Sequence, residues 1–150
     1  MKKFKFEFEK ILDFRTNKEN KLREQLATAT KRYIYEKNKL DKLLEMKSDT
    51  LKSLNRNKLQ KINILQMMEY YRYLNYLDDN ISSQWEIVKR SEMEVSKRRA
   101  ELISARIDRK VIENLKEKKF VEYKHLIQKI EEVTLEDMVN FSTSKQLGVK

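Results

Sequence analysis

The chain has 150 residues, of which 39% are charged and 39% hydrophobic, and its 34 Lys and Arg outnumber 24 Asp and Glu to give a net charge of +10. Such a balance leaves too little apolar material for a thick core but enough for one narrow seam, and the absence of cysteine excludes both a disulfide framework and a thiolate metal site. Proline is absent and the single glycine is Gly148, so nothing before Leu147 readily breaks a helix, where proline costs about 3 kcal/mol and glycine about 1.

The opening stretch MKKFKFEFEKIL alternates Phe with charge and lacks the unbroken apolar core of a signal peptide. No run approaches membrane-spanning length, so the sequence reads as a soluble, cytoplasmic protein. From Phe8, steps of three and four residues pass through Leu12, Arg15, Glu19, Leu22, Leu26, Ala29, Tyr33, Glu36, Leu40, Leu43, Lys47, Thr50 and Leu54. This stripe predicts a first amphipathic helix over about 5–54. The stretch SLNRNKLQK then breaks the rhythm, and Asn55 and Asn57 tolerate left-handed backbone, so a reversal is expected at about 55–61.

A second, stronger stripe runs from Leu74 through Leu77, Ile81, Gln84, Val88, Ser91, Val95, Arg98, Leu102 and Ala105. It continues in phase through Arg109, Ile112, Lys116, Lys119, Tyr123, Leu126, Ile130 and Val133. A seam held for roughly 60 residues, or about 90 Å at 1.5 Å per residue, predicts a second helix over about 62–141. Two such helices joined by a short link bury their stripes most economically by folding back on each other. The expected fold is all-α: two long helices in an antiparallel coiled-coil hairpin, the second longer, forming a single domain over 1–141 with a flexible polar tail at 142–150. With a turn near 58, helix one would pair with helix two as far as roughly Asp108. The stretch from Arg109 to Phe141 would then overhang while still carrying Ile112, Tyr123, Leu126 and Ile130, an apolar stripe in need of a partner.

Chemical motifs are absent. There is no glycine-rich phosphate loop to support ATP hydrolysis, and His125 is the sole histidine. The acidic pairs Asp78-Asp79 and Glu131-Glu132 fall on helices beside lysine and water rather than in a pocket. The sequence therefore predicts neither an enzyme nor a metal or cofactor site.

Basic residues are densest from Lys97 to Lys119 and again at Lys2, Lys3 and Lys5, with Glu101, Asp108, Glu113 and Glu117 threaded through the first cluster. A DNA-reading helix has a purer basic face, which leaves a solvated helix surface or docking to an acidic protein as the stronger readings. The segment LQMMEYYRYLNYLDDNISSQW, Leu65 to Trp85, holds more aromatics than one seam can bury. Its Tyr73, Leu77, Asn80 and Gln84 recur at steps of four, three and four, and either thicken the tip of the hairpin or present a partner-binding surface.

Three blocks together resemble the flagellar export protein family FliJ over nearly the whole chain. They are FKFEFEKILDFRTNKE, carrying Phe4, Phe6, Phe8, Ile11, Leu12, Arg15 and Glu19; the Tyr-rich YYRYLNYLDDNI; and LISARIDRKVIENLKEKKFVEY followed by TLED. The resemblance implies a component of the flagellar type III export apparatus, a stalk-like coiled coil similar to the central subunit of rotary ATPases. It further implies contact with the hexameric export ATPase FliI and the cytoplasmic region of the export-gate protein FlhA, a link to export chaperones, and a place at the inner face of the cell membrane at the flagellar base. By position, the gate-contacting stripe corresponds to Tyr73, Leu77, Asn80 and Gln84. The ATPase-contacting residues would be Phe4, Phe6, Phe8, Arg15, Arg109, Lys110 and Lys116. A generic coiled-coil adaptor or dimer is the alternative, and a basic nucleic-acid-binding rod a third reading.

Overall fold

A computed structural model describes residues 2–148. Among these residues there are two helices and no strand: α1, Glu9–Lys58, of 50 residues, and α2, Ile64–Leu147, of 84. The expected all-α hairpin with a longer second helix is therefore present, while the helix boundaries differ in three places. α1 starts at Glu9 rather than near residue 5: residues 2–6 have no regular structure and lead into a turn whose Phe6 carbonyl accepts from the Glu9 amide at 3.3 Å. Glu9 stands in the first turn of α1, and Arg56 and Lys58 in the last, each charge complementing the helix dipole.

The reversal also lies later than expected. Asn55 and Asn57 are inside α1, and the chain turns between Lys58 and Ile64. Helix continues through the two asparagines because Asn57 finds a better use for its amide, whose Nδ2 donates to the Tyr70 hydroxyl at 2.7 Å. The left-handed backbone falls to Lys61, φ 55°, in the absence of any nearby glycine. Asn63 then caps α2, its Oδ1 accepting from the Leu65 amide at 3.3 Å. At the other end α2 runs on to Leu147, so residues 142–147 are helical where a flexible tail was expected. Nothing before Gly148 breaks the pattern, and the Gly148 amide still donates to Ser144 at 3.0 Å. The last two residues of the expected tail lie outside the described ones.

The chain divides into two compact units, and both helices contribute to each. The turn-bearing unit, Asn20–Ser104, holds most of the buried apolar side chains: Ala29, Leu40 and Leu54 from α1 face Leu74, Leu77, Val88, Val95 and Leu102 from α2. These are the seam positions read from the sequence, and Leu77 is completely buried. Cross-helix contacts follow an antiparallel course. As α1 advances through Gln25, Glu36, Lys47 and Asn57, its partners on α2 retreat through Arg98, Gln84, Asp78 and Tyr70.

The termini-bearing unit is built from residues up to Glu19 and from Ala105 onward. Its contacts are antiparallel too: Phe4 meets Phe120 and Tyr123, Glu9 meets Lys116, and Glu19 meets Arg106 and Arg109. Pairing thus reaches Tyr123 rather than stopping near Asp108, because the non-helical residues 2–8 continue along α2 as a strap. Beyond it, every residue from 128 to 147 is exposed.

A Leu77→Ala substitution is expected to lower unfolding free energy by about 2–5 kcal/mol, whereas Tyr76→Ala, at a side chain 62% exposed, should stay within about 0.5. Urea denaturation followed by circular dichroism checks both.

Candidate functional site

The aromatic segment near the turn separates into buried and presented side chains. Of the four residues at the stepped spacing, Leu77 is fully buried and Gln84 is 4% exposed, both facing α1. Gln84 Nε2 donates to the Glu36 carboxylate at 2.6 Å and to the Glu36 backbone carbonyl at 2.9 Å, which satisfies an amide that the apolar seam would otherwise strand. Asn80 is half-buried, and Tyr73 is 39% exposed. Tyr73 stacks on Tyr76 with centroids 6.3 Å apart. Tyr76 and Trp85 are both mostly exposed. The presented surface therefore consists of Tyr73, Tyr76 and Asn80, with Leu77 and Gln84 supporting it from beneath and Trp85 exposed on the other flank of α2. An open groove lined by Asn57, Gln66, Glu69, Tyr70 and Tyr73 adjoins it.

The second set of sequence-selected residues, Phe4, Phe6, Phe8, Arg15, Arg109, Lys110 and Lys116, falls wholly within the termini-bearing unit. Phe4 packs on Phe120 and Tyr123 at centroid distances of 5.2 and 5.5 Å, and Phe6 on Phe8 at 5.9 Å. The Tyr123 hydroxyl donates to the Lys2 carbonyl and holds the strap in place. Most of the cations in this set already have partners. Arg15 Nη1 donates to the Asp108 carbonyl at 2.6 Å, and Lys116 pairs with Glu9 at 2.9 Å. Arg109 pairs with Glu19 and with Glu113. Lys110 alone of the four is exposed with neither a hydrogen bond nor an ion pair from its side chain among the described residues.

Glu19 is the one acidic side chain buried in either seam, at 2% exposure. Arg109 bonds it from one side and Arg106 reaches it at 3.5 Å. The hydrogen bond to Glu19 raises the Arg109 pKa above its usual value, partial burial opposes this, and the nearby charges of Glu19 and Glu113 add to the rise. The guanidinium accordingly stays charged at every ordinary pH.

Past the strap, α2 exposes Leu126, Ile130, Val133, Met138 and Phe141. Sequence reasoning anticipated an uncovered stripe, though starting nearer Arg109. It missed the docking of Phe4 on Phe120 and Tyr123, whose only sequence signal is the Phe–charge alternation ahead of the first helix. No group of acidic, histidine or cysteine side chains among the described residues could hold a metal ion. No helix there is long and apolar enough to cross a membrane.

The family model described as "Flagellar FliJ protein" matches residues 4–146. Neither the curated proteins nor the solved structures give a match. The matched span takes in both presented surfaces and the Glu19 cluster.

Removing the buried carboxylate with Glu19→Ala should lower the thermal midpoint by roughly 5 °C, since it leaves Arg109 without its main partner. Joint replacement of Glu19 and Arg109 by leucine should recover stability, as scanning calorimetry would report.

Proposed function

Because this chain belongs to the flagellar FliJ family, and is thus a flagellar export-related coiled-coil protein, we propose that it acts as a stalk-like link between the hexameric export ATPase and the cytoplasmic region of the export gate. In this reading it works at the inner face of the cell membrane, within a type III export apparatus, and takes part in handing over export chaperones. It catalyses nothing itself. Its contribution is to hold two partners at defined positions along one pair of helices.

The observation that carries this reading is the exposure of large apolar and aromatic side chains where the helices have no need of them. Tyr73, Tyr76 and Trp85 stand outside a seam that is already filled by Leu74, Leu77 and Gln84. A soluble helix pair gains nothing from presenting such rings, while protein interfaces are enriched in Tyr and Trp. Of these, Tyr73 and Tyr76, with Asn80, are the proposed gate-facing surface, and Leu77 and Gln84 shape it by fixing α2 against α1. The strap phenylalanines Phe4, Phe6 and Phe8, Lys110, and the uncovered stripe from Leu126 to Phe141 are the proposed ATPase-facing surface. There Arg15, Arg109 and Lys116 serve chiefly by anchoring α1 to α2. Pairing of the seams within one chain favours this link over a dimerisation module whose helices pair between chains.

Tyr73→Ala combined with Asn80→Ala should weaken binding to the isolated gate domain by about tenfold or more with helicity unchanged. Equal affinity of variant and parent in a titration would remove the gate assignment. Deleting residues 2–8 should impair stimulation or hexamer assembly of the export ATPase, and an unaltered hexamer by light scattering would count against the second surface.

A further inference from the structure

The strap, whose phenylalanines belong to the proposed ATPase-facing surface, and the turn of α2 beneath it also carry exposed lysines that neither partner surface uses. Residues 2–8 read Lys-Lys-Phe-Lys-Phe-Glu-Phe, and in the folded chain Phe4 and Phe6 are half-buried while Lys2, Lys3 and Lys5 are exposed. Phe4 rests on Phe120 and Tyr123, and Lys124 sits over the Phe120 ring at 4.6 Å. Phe120 and its neighbour Val121 remain 39% and 46% exposed.

The charges here divide by type. The arginines of this unit are spent internally, Arg15 on a backbone carbonyl and Arg106 and Arg109 on Glu19. The carboxylates Glu9 and Glu122 are matched by Lys116 and Lys119. On the strap and the part of α2 beneath it, Lys2, Lys3, Lys5, Lys118 and Lys124 are exposed and without a carboxylate partner among the described residues, against the exposed and likewise unpaired Glu7 and Glu117.

We propose that this cluster is a docking surface for an anionic phospholipid bilayer, with Lys2, Lys3, Lys5 and Lys124 at the headgroups and the exposed edges of Phe120 and Val121 at the interface. A bilayer fits better than a protein or nucleic acid partner for a physical reason. Lysine ammoniums on flexible stems follow a smeared surface charge, whereas discrete carboxylates and phosphates are recognised by the planar fork of arginine, and the arginines are already engaged. Interfacial aromatic rings and lysine stems that snorkel upward suit the boundary of headgroup and acyl chain. Each lysine at such a surface strengthens binding by roughly fivefold, so the three strap lysines together account for roughly a hundredfold. This inference goes beyond the proposed link between ATPase and gate and needs neither of them.

The test is flotation of the purified full chain with vesicles of mixed phosphatidylglycerol and phosphatidylcholine, against vesicles of phosphatidylcholine alone. Binding is expected only to the mixed vesicles, and to decline as salt is raised. The triple variant Lys2→Glu, Lys3→Glu, Lys5→Glu, whose substitutions touch no partner and should leave the circular dichroism spectrum intact, is expected to bind at least about tenfold more weakly. Three outcomes would overturn the proposal. One is equal flotation of variant and parent. Another is an equal loss on reversing Lys89, Lys97 and Arg99 of the other unit, which would mark bulk charge rather than this surface. The third is tighter retention on duplex DNA than on the mixed vesicles at physiological salt, which would assign the cluster to nucleic acid instead.

Discussion

A polar side chain in a narrow apolar seam has to meet a partner on the opposite helix, and the pairing of these two helices follows from that requirement. Apolar positions alone do not fix how far one helix slides along the other, since leucine opposite leucine is nearly as good one heptad away. Glu36 opposite Gln84, and Arg98 opposite Gln25, are not interchangeable in this way. A slip by a heptad would leave the Gln84 amide without an acceptor, at a cost of about 1–3 kcal/mol for such a buried group. In the other unit the buried Glu19, held by Arg109 and Arg106, has the same effect with a larger charge at stake. No buried side-chain nitrogen or oxygen lacks a partner among the described residues. The polar positions therefore specify alignment, while Leu40, Leu54, Leu77 and their neighbours supply the burial.

This division of labour leaves the remaining faces free. A two-helix arrangement can cover one stripe on each helix and no more, so any further apolar or aromatic residue is presented to solvent by geometry. Tyr73, Tyr76 and Trp85 near the turn, and Leu126 to Phe141 beyond the strap, are such residues. Their placement on regular helix means that each surface inherits the stiffness and register of the seam behind it. Which side chains face outward is accordingly set by the seam, with Leu77 and Gln84 fixing from the inside where those side chains stand.

Most of the architecture was legible in the sequence because helical periodicity is a local property. The run from Leu74 to Ala105 was read in the correct phase at every step, including the polar positions Gln84, Ser91 and Arg98. What resisted reading depends on contacts between distant residues. Asn57 looks like a turn residue until Tyr70 is seen accepting its amide hydrogen. Residues 2–8 carry no helical pattern, so their docking on Phe120 and Tyr123, and with it the reach of the pairing, could not be inferred from spacing. The stepped set Tyr73, Leu77, Asn80 and Gln84 shows the same limit within one helix. Steps of four, three and four keep all four near one side, yet the boundary between buried and exposed runs through that side. The cations Arg109 and Lys116 read as available for a partner, but Glu19 and Glu9 occupy them.

The cross-helix bonds form a graded series in sequence separation: 13 residues for Asn57 with Tyr70, 48 for Glu36 with Gln84, 73 for Gln25 with Arg98, 93 for Arg15 with Asp108 and 121 for Lys2 with Tyr123. Closing the longest of these loops from an open chain costs roughly 2 kcal/mol more than closing the shortest. Each inner contact shortens the loop that the next must close, so the series behaves as a zipper whose starting point is the glycine-free turn around Lys61. The strap is the last tooth of that zipper. Because no contact of the series lies outside it, the strap can open without breaking any of the inner ones, and the molecule can loosen at this end while the rest of the series stays closed.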